Sequence, residues 1–137
     1  MGRSEGDSTM TLLLTALFGA SGCLARWGVE EAAQRRAIVA RPFATMWVNV
    51  SGAAISGFFI FVIERNSTYS PHLQQFVHHY VLTGFCGGFT TFSSALAIPY
   101  LDWRMGHRLR AATLVAATPL LCILGFWIGE LLSMPLL

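Results

Sequence analysis

Asn49 carries a side-chain amide in the middle of an apolar stretch. At membrane depth such a group is costly unless it finds a partner, so intramembrane amides are functional candidates by default. Thr45, Asn49, Gly52 and Ser56 recur at intervals of four, three and four, which places them on one helical face. Trp47, Val50, Ala54, Phe58 and Phe61 fall on another face and suit lipid or packing. Small residues let helices approach and polar ones bond across the contact. For Gly52 and Ser56 a packing seam is the simpler reading, and Asn49 stands apart from it.

A second group of chemistry-bearing residues is the run Thr83-Gly-Phe-Cys-Gly-Gly-Phe-Thr-Thr-Phe-Ser93. Each glycine in a helix interior costs about 1 kcal/mol relative to Ala. Adjacent Gly87 and Gly88, followed by the β-branched Thr90 and Thr91, predict a helix broken near its middle. Unpaired backbone at this depth is tolerated only inside protein or beside water. Broken helices offer free carbonyls to cations and half-helix N-termini to anions. A glycine-lined crossing of two helices, with Gly84 and Gly88 as a small-xxx-small pair, is the plainer alternative.

Other candidates are weaker. Gly125 and Gly129 have GxxxG spacing, a pattern common by chance, and Pro119 invites a kink. Thr118 is expected to bond within its own helix. Cys23, Cys86 and Cys122 share no metal-like spacing and read as packing groups. His72, His78, His79 and His107 sit in or near polar connections, and no His/Glu or Ser/His constellation points to an enzyme.

These groups need elements to hold them, and composition says which. Of 137 residues 54% are apolar and 12% charged, where soluble domains carry about 25% charge. So small a soluble domain could not hide that much apolar surface. Four runs approach or exceed the roughly 20 residues that cross a hydrocarbon core: Met10 to Trp27, Phe43 to Ile63, Phe76 to Leu101, and Ala111 to Leu132. The fold expected is all-α and integral to the membrane, with a polar tail over residues 1–9 and one four-helix domain over 10–137. Acidic Glu5 and Asp7 precede the first run, and three more runs follow, so it reads as a retained span rather than a signal peptide.

All nine basic residues are Arg. Arg35, Arg36, Arg41, Arg104, Arg108 and Arg110 flank the first and third connections, against Arg3 and Arg65 on the other side. The bias predicts a cell-membrane protein with both termini outside the cytoplasm. A net charge of +2 and the lack of a basic stripe with interleaved aromatics argue against nucleic acid.

The run from Thr83 to Ser93 resembles, almost letter for letter, the central motif of the Fluc (CrcB) fluoride channels. Thr45-Met-Trp-Val-Asn49 followed by Gly52 is similar to that family's second-span motif. Gly19-Ala-Ser-Gly22 followed by Arg26 is similar to its glycine-rich first span and arginine. The resemblance covers nearly the whole chain. It implies an antiparallel dimer of four-helix subunits, with fluoride pathways along the interface. It also implies a structural Na⁺ at the centre, held by backbone carbonyls that here belong to Gly87 and Thr90. Along the pathway it implies Asn49 as an N–H donor to fluoride and Phe92 as a ring edge facing the anion. Thr45 would line the same path, Thr91 and Ser93 would offer hydroxyls near the break or more simply cap local backbone, and Arg26 would gather anions at an entrance or simply flank the membrane. Two family positions differ: a second phenylalanine is Ala95 and an acidic residue is Ile98. Leu96 lies one turn from Phe92 and could fill space there, without a ring.

Three functions compete. The first is passive fluoride export. The second is a non-conducting structural partner in a heterodimeric channel, suggested by Ala95 and Ile98. The third is a proton-coupled exporter, disfavoured because the one acid inside a span, Glu130, lies near its end. Arginine bias favours pairing with a related, oppositely oriented chain over pairing of two copies.

Overall fold

Runs this apolar can satisfy their backbone in lipid only within themselves, as helices. The structure, a computed structural model, describes residues 5–36, 41–65 and 69–136. Helix α1 spans Glu5–Arg35 and α2 spans Arg41–Arg65. The third span is composite: α3 (Pro71–Phe76), a π-helical segment (Val77–Cys86), α4 (Gly87–Phe89) and α5 (Phe92–Arg104). Helix α6 (Arg108–Ser133) ends in a 3₁₀ turn, Met134–Leu136. Four stretches are long and apolar enough to cross a membrane, with the third counted as Pro71–Arg104. The chain is a multi-pass membrane protein.

The helices outrun the apolar runs at both ends. Helix α1 begins at Glu5 rather than Met10, so part of the polar tail is helical; residues 1–4, Arg3 among them, lie outside the described residues. At its far end α1 continues past Trp27 to Arg35, with Glu31 and Arg35 paired at 2.7 Å one turn apart. Its 31 residues rise about 46 Å at 1.5 Å each, well beyond the ~30 Å hydrocarbon core. Apolar length records the thickness of the bilayer, whereas a helix stops where its backbone meets a breaker. The third span starts at such a signal: Ser70 caps α3 through the Leu73 N–H, with Pro71 in the first turn.

Helix α2 packs along α6, α1 packs on the π-helical segment and α4, and α5 returns against α6. Glycines decide the closest crossings. A Cβ at Gly129 would overlap the Ala54 carbonyl, and one at Gly88 would overlap the Gly19 carbonyl. The spacing of Gly125 and Gly129 thus serves the α2–α6 contact. Thr118 donates to the Leu114 carbonyl of its own helix at 2.7 Å, as expected.

Of the four residues expected to break the helix, Gly87 and Gly88 are themselves helical; Gly87 has φ −62° and ψ −37°. Helical geometry lapses instead at Thr90 (φ −78°, ψ 159°) and Thr91 (φ −146°, ψ 119°). The reason is local. Gly88 tolerates the helix and permits the approach to α1, while Thr91 finds partners for its backbone on α2. The π-helical turns before it were not anticipated from sequence. They show in the Thr83 hydroxyl, which reaches back five residues to the His78 carbonyl at 2.9 Å, and such segments often accompany functional sites.

Candidate functional site at the lapse in the third span

Asn49 and Thr91 meet at the centre of the bundle. Helix α2 projects Asn49 towards the third span, where its Oδ1 accepts the Thr91 N–H at 2.7 Å. Its Nδ2 donates to the Thr91 carbonyl at 3.0 Å. The amide therefore brackets one residue on both backbone sides. Asn49 is 7% exposed and Thr91 9%, so water does not compete for these bonds. One turn along α2, Gly52 leaves room for the Thr90 methyl, which a Cβ would strike. The helical stripe of Asn49 and Gly52 is thus a cradle for the threonine pair.

Beyond Thr91 the chain re-enters a helix under a local cap. The Thr91 hydroxyl accepts the Ser94 N–H at 3.3 Å. It also lies 3.3 Å from both the Ser93 and the Ser94 hydroxyls. Before the lapse, the Thr90 hydroxyl donates to the Cys86 carbonyl at 2.9 Å and its N–H to the same oxygen at 3.0 Å.

A cavity of ≈ 520 Å³ opens beside this pair. Asn49, Gly87, Thr90, Thr91 and Phe92 contribute to its wall, with Ala95 one turn on from Phe92. Phe92 is 79% exposed, so its ring has little cover within the chain. Five of the residues singled out from sequence therefore share one space. Arg26, Thr45 and Ser93 are not among its lining residues.

Those three sit elsewhere. Thr45 is buried one turn from Asn49 and donates to Glu30 Oε1 at 2.8 Å, which ties α2 to the end of α1. It borders a small separate crevice with Ala95, Ile98 and Thr118. Ser93 is exposed at the start of α5. Arg26 is half-buried on α1, one turn past Gly22.

Two polar contacts escaped sequence reasoning. The Cys23 thiol donates to the Gly88 carbonyl at 3.2 Å. Asp102, buried at the end of α5, is held by Arg110 through Nε and Nη2 at 2.7 and 2.5 Å. A carboxylate and an arginine eight residues apart across a glycine were a usable signal; a thiol 65 residues from its acceptor was not.

The donor set has a clear chemical character. Among the described residues no group of three or more His, Cys, Asp or Glu side chains could hold a metal. The oxygens near the lapse are backbone carbonyls and hydroxyls, which are hard, neutral ligands. Carbonyls of this kind replace the hydration shell of a monovalent cation in channel filters.

Residues 13–130 match the family described as CrcB-like protein, Camphor Resistance (CrcB). The fluoride-specific ion channel FluC of Coxiella burnetii (strain Dugway 5J108-111) is 35% identical over 125 residues, covering 90% of this chain and 98% of that relative. The protein of the same name from Geobacter sulfurreducens is 34% identical over 119 residues, 87% of this chain and 93% of its own. That of Geobacter metallireducens is 37% identical over 125 residues, 88% and 94% respectively. With four membrane-length helices and a match along most of its length, this chain belongs to the CrcB family.

Proposed function

We propose that this chain is a subunit of a fluoride-specific channel that lowers cytoplasmic fluoride by passive export. Weak-acid HF crosses membranes and releases fluoride inside, so a leak for the anion relieves its accumulation. The observation that carries the reading is the likeness to fluoride channels over 98% of a relative's length. The reading extends to an antiparallel dimer with the cavity at the subunit interface. There Asn49 would offer N–H to the anion, having two amide hydrogens of which Thr91 takes one. Phe92 would present its electropositive ring edge. Thr91 and Ser93 would add hydroxyls, Thr45 would lie further along the path, and Arg26 would attract anions to an entrance.

A structural Na⁺ fits the same arrangement. Gly87 and Thr90 line the cavity; their carbonyls would hold the ion, and a partner related by symmetry would supply two more from the opposite side. When bound, the ion would add positive potential beside an anion path without any buried carboxylate.

Six arginines against two favour a single insertion direction, both termini outside, and a related partner chain with the opposite bias. Ala95 on the cavity wall supports a second reading, in which this chain is the structural half and its partner supplies the missing ring. Fluoride efflux from liposomes tests both. Efflux with this chain alone removes the need for a partner. Efflux only after a related chain is added supports the heterodimer, and none in either case overturns the channel reading.

A further inference from the structure

We propose that Asn49 and Thr91 are positioning residues whose side-chain oxygens capture two backbone hydrogens and so hold the Gly87 and Thr90 carbonyls free for a cation. The inference rests on the sodium reading above. In a continued α-helix each carbonyl accepts from the N–H four residues on. The Gly87 carbonyl would then take the Thr91 N–H, and the Thr90 carbonyl the Ser94 N–H. Neither donor goes there. Thr91 gives its hydrogen to Asn49 Oδ1 at 2.7 Å, and Ser94 gives its hydrogen to Thr91 Oγ1 at 3.3 Å. Gly87 and Thr90, whose carbonyls are released from these bonds, both line the cavity.

The remaining contacts make the lapse a built feature. Asn49 Nδ2 holds the Thr91 carbonyl at 3.0 Å, so the residue cannot rotate back into the helix without losing two buried bonds. Gly52 leaves space for the displaced Thr90 side chain. The Cys23 thiol occupies the intervening Gly88 carbonyl. A side chain acting only as an anion donor needs its N–H alone. Here the acceptor half of the amide is in use as well, at the shorter of its two bonds.

Substitutions can test both captures. Asn49→Leu loses both bonds to the Thr91 backbone. Thr91→Ser keeps the cap on Ser94, and Thr91→Val removes it. The readout is the unfolding midpoint of the assembled dimer, titrated with NaCl against choline chloride at constant ionic strength, since a ligand bound only by the folded state raises it. Wild type should be stabilised by sodium. Asn49→Leu and Thr91→Val should need about tenfold more sodium or more for the same effect, the ratio set by one lost hydrogen bond. Thr91→Ser should keep the wild-type response. If Asn49→Leu does not fold, the Thr91 pair decides. A wild-type sodium response that persists unchanged in Asn49→Leu or Thr91→Val overturns this inference alone. A wild type indifferent to sodium overturns the sodium reading and this inference with it.

Discussion

Asp102 lies buried at the end of α5 with both carboxylate oxygens held by Arg110, eight residues later at the start of α6. Between them Gly106, at φ 90°, turns the chain, and the Asp102 carbonyl accepts the His107 N–H at 2.9 Å. The pair fastens the hairpin that sets the angle of α5 against α6, and therefore the wall of the cavity. Removing one member of such a pair strands the other, while removing both does not. Arg110→Ala should lower the thermal midpoint more than the double substitution with Asp102→Ala, and a double-mutant cycle on unfolding midpoints measures the difference.

Neighbouring glycines should behave oppositely. A Cβ at Gly87 would meet only the Leu82 carbonyl, at 3.9 Å, which is ordinary contact. Gly87→Val should therefore leave the subunit folded and abolish fluoride flux, because the added bulk projects beside the carbonyls proposed to hold sodium. A Cβ at Gly88 would overlap the Gly19 backbone, and overpacking of this kind costs about 1–3 kcal/mol or more. Gly88→Val should fail earlier, as poor expression or a lowered midpoint. Thr90→Ser keeps the backbone and should be mild in both assays.

For Asn49 the flux prediction is direct. A dehydrated anion that loses a hydrogen-bond donor gives up roughly 1.5–3 kcal/mol, so Asn49→Leu should slow fluoride efflux by about tenfold or more. Efflux at the wild-type rate, with equal protein in the membrane, would remove Asn49 from the pathway.

Orientation yields a topology experiment. A C-terminal tag should be reachable from outside intact cells and from one side only, following the arginine asymmetry. Tags detected on both faces would mean dual insertion. Pairing of two copies would then be open to this chain, and the heterodimer reading would fail while the channel reading stood.

Span number, membrane class and the apolar faces were legible from sequence because apolar length and helical periodicity are local properties, counted along the chain. Asn49 stood out for the same reason: an amide surrounded by apolar residues announces a need for a partner. The identity of that partner was not legible. Thr91 is 42 residues away, and the choice depends on which donor reaches which acceptor once α2 and the third span are side by side. The same competition moved the lapse from the glycines to the threonines. Propensity taken residue by residue points at Gly87 and Gly88, yet both stay helical, the missing side chain of Gly88 serves the approach to α1, and an amide on another helix draws the backbone out at Thr91. Thr45 shows the limit once more: its helical face was readable, but only the packing of α1 against α2 brought Glu30 to its hydroxyl. What a residue requires is written in its own chemistry, and what satisfies it is decided by the neighbours that tertiary structure supplies.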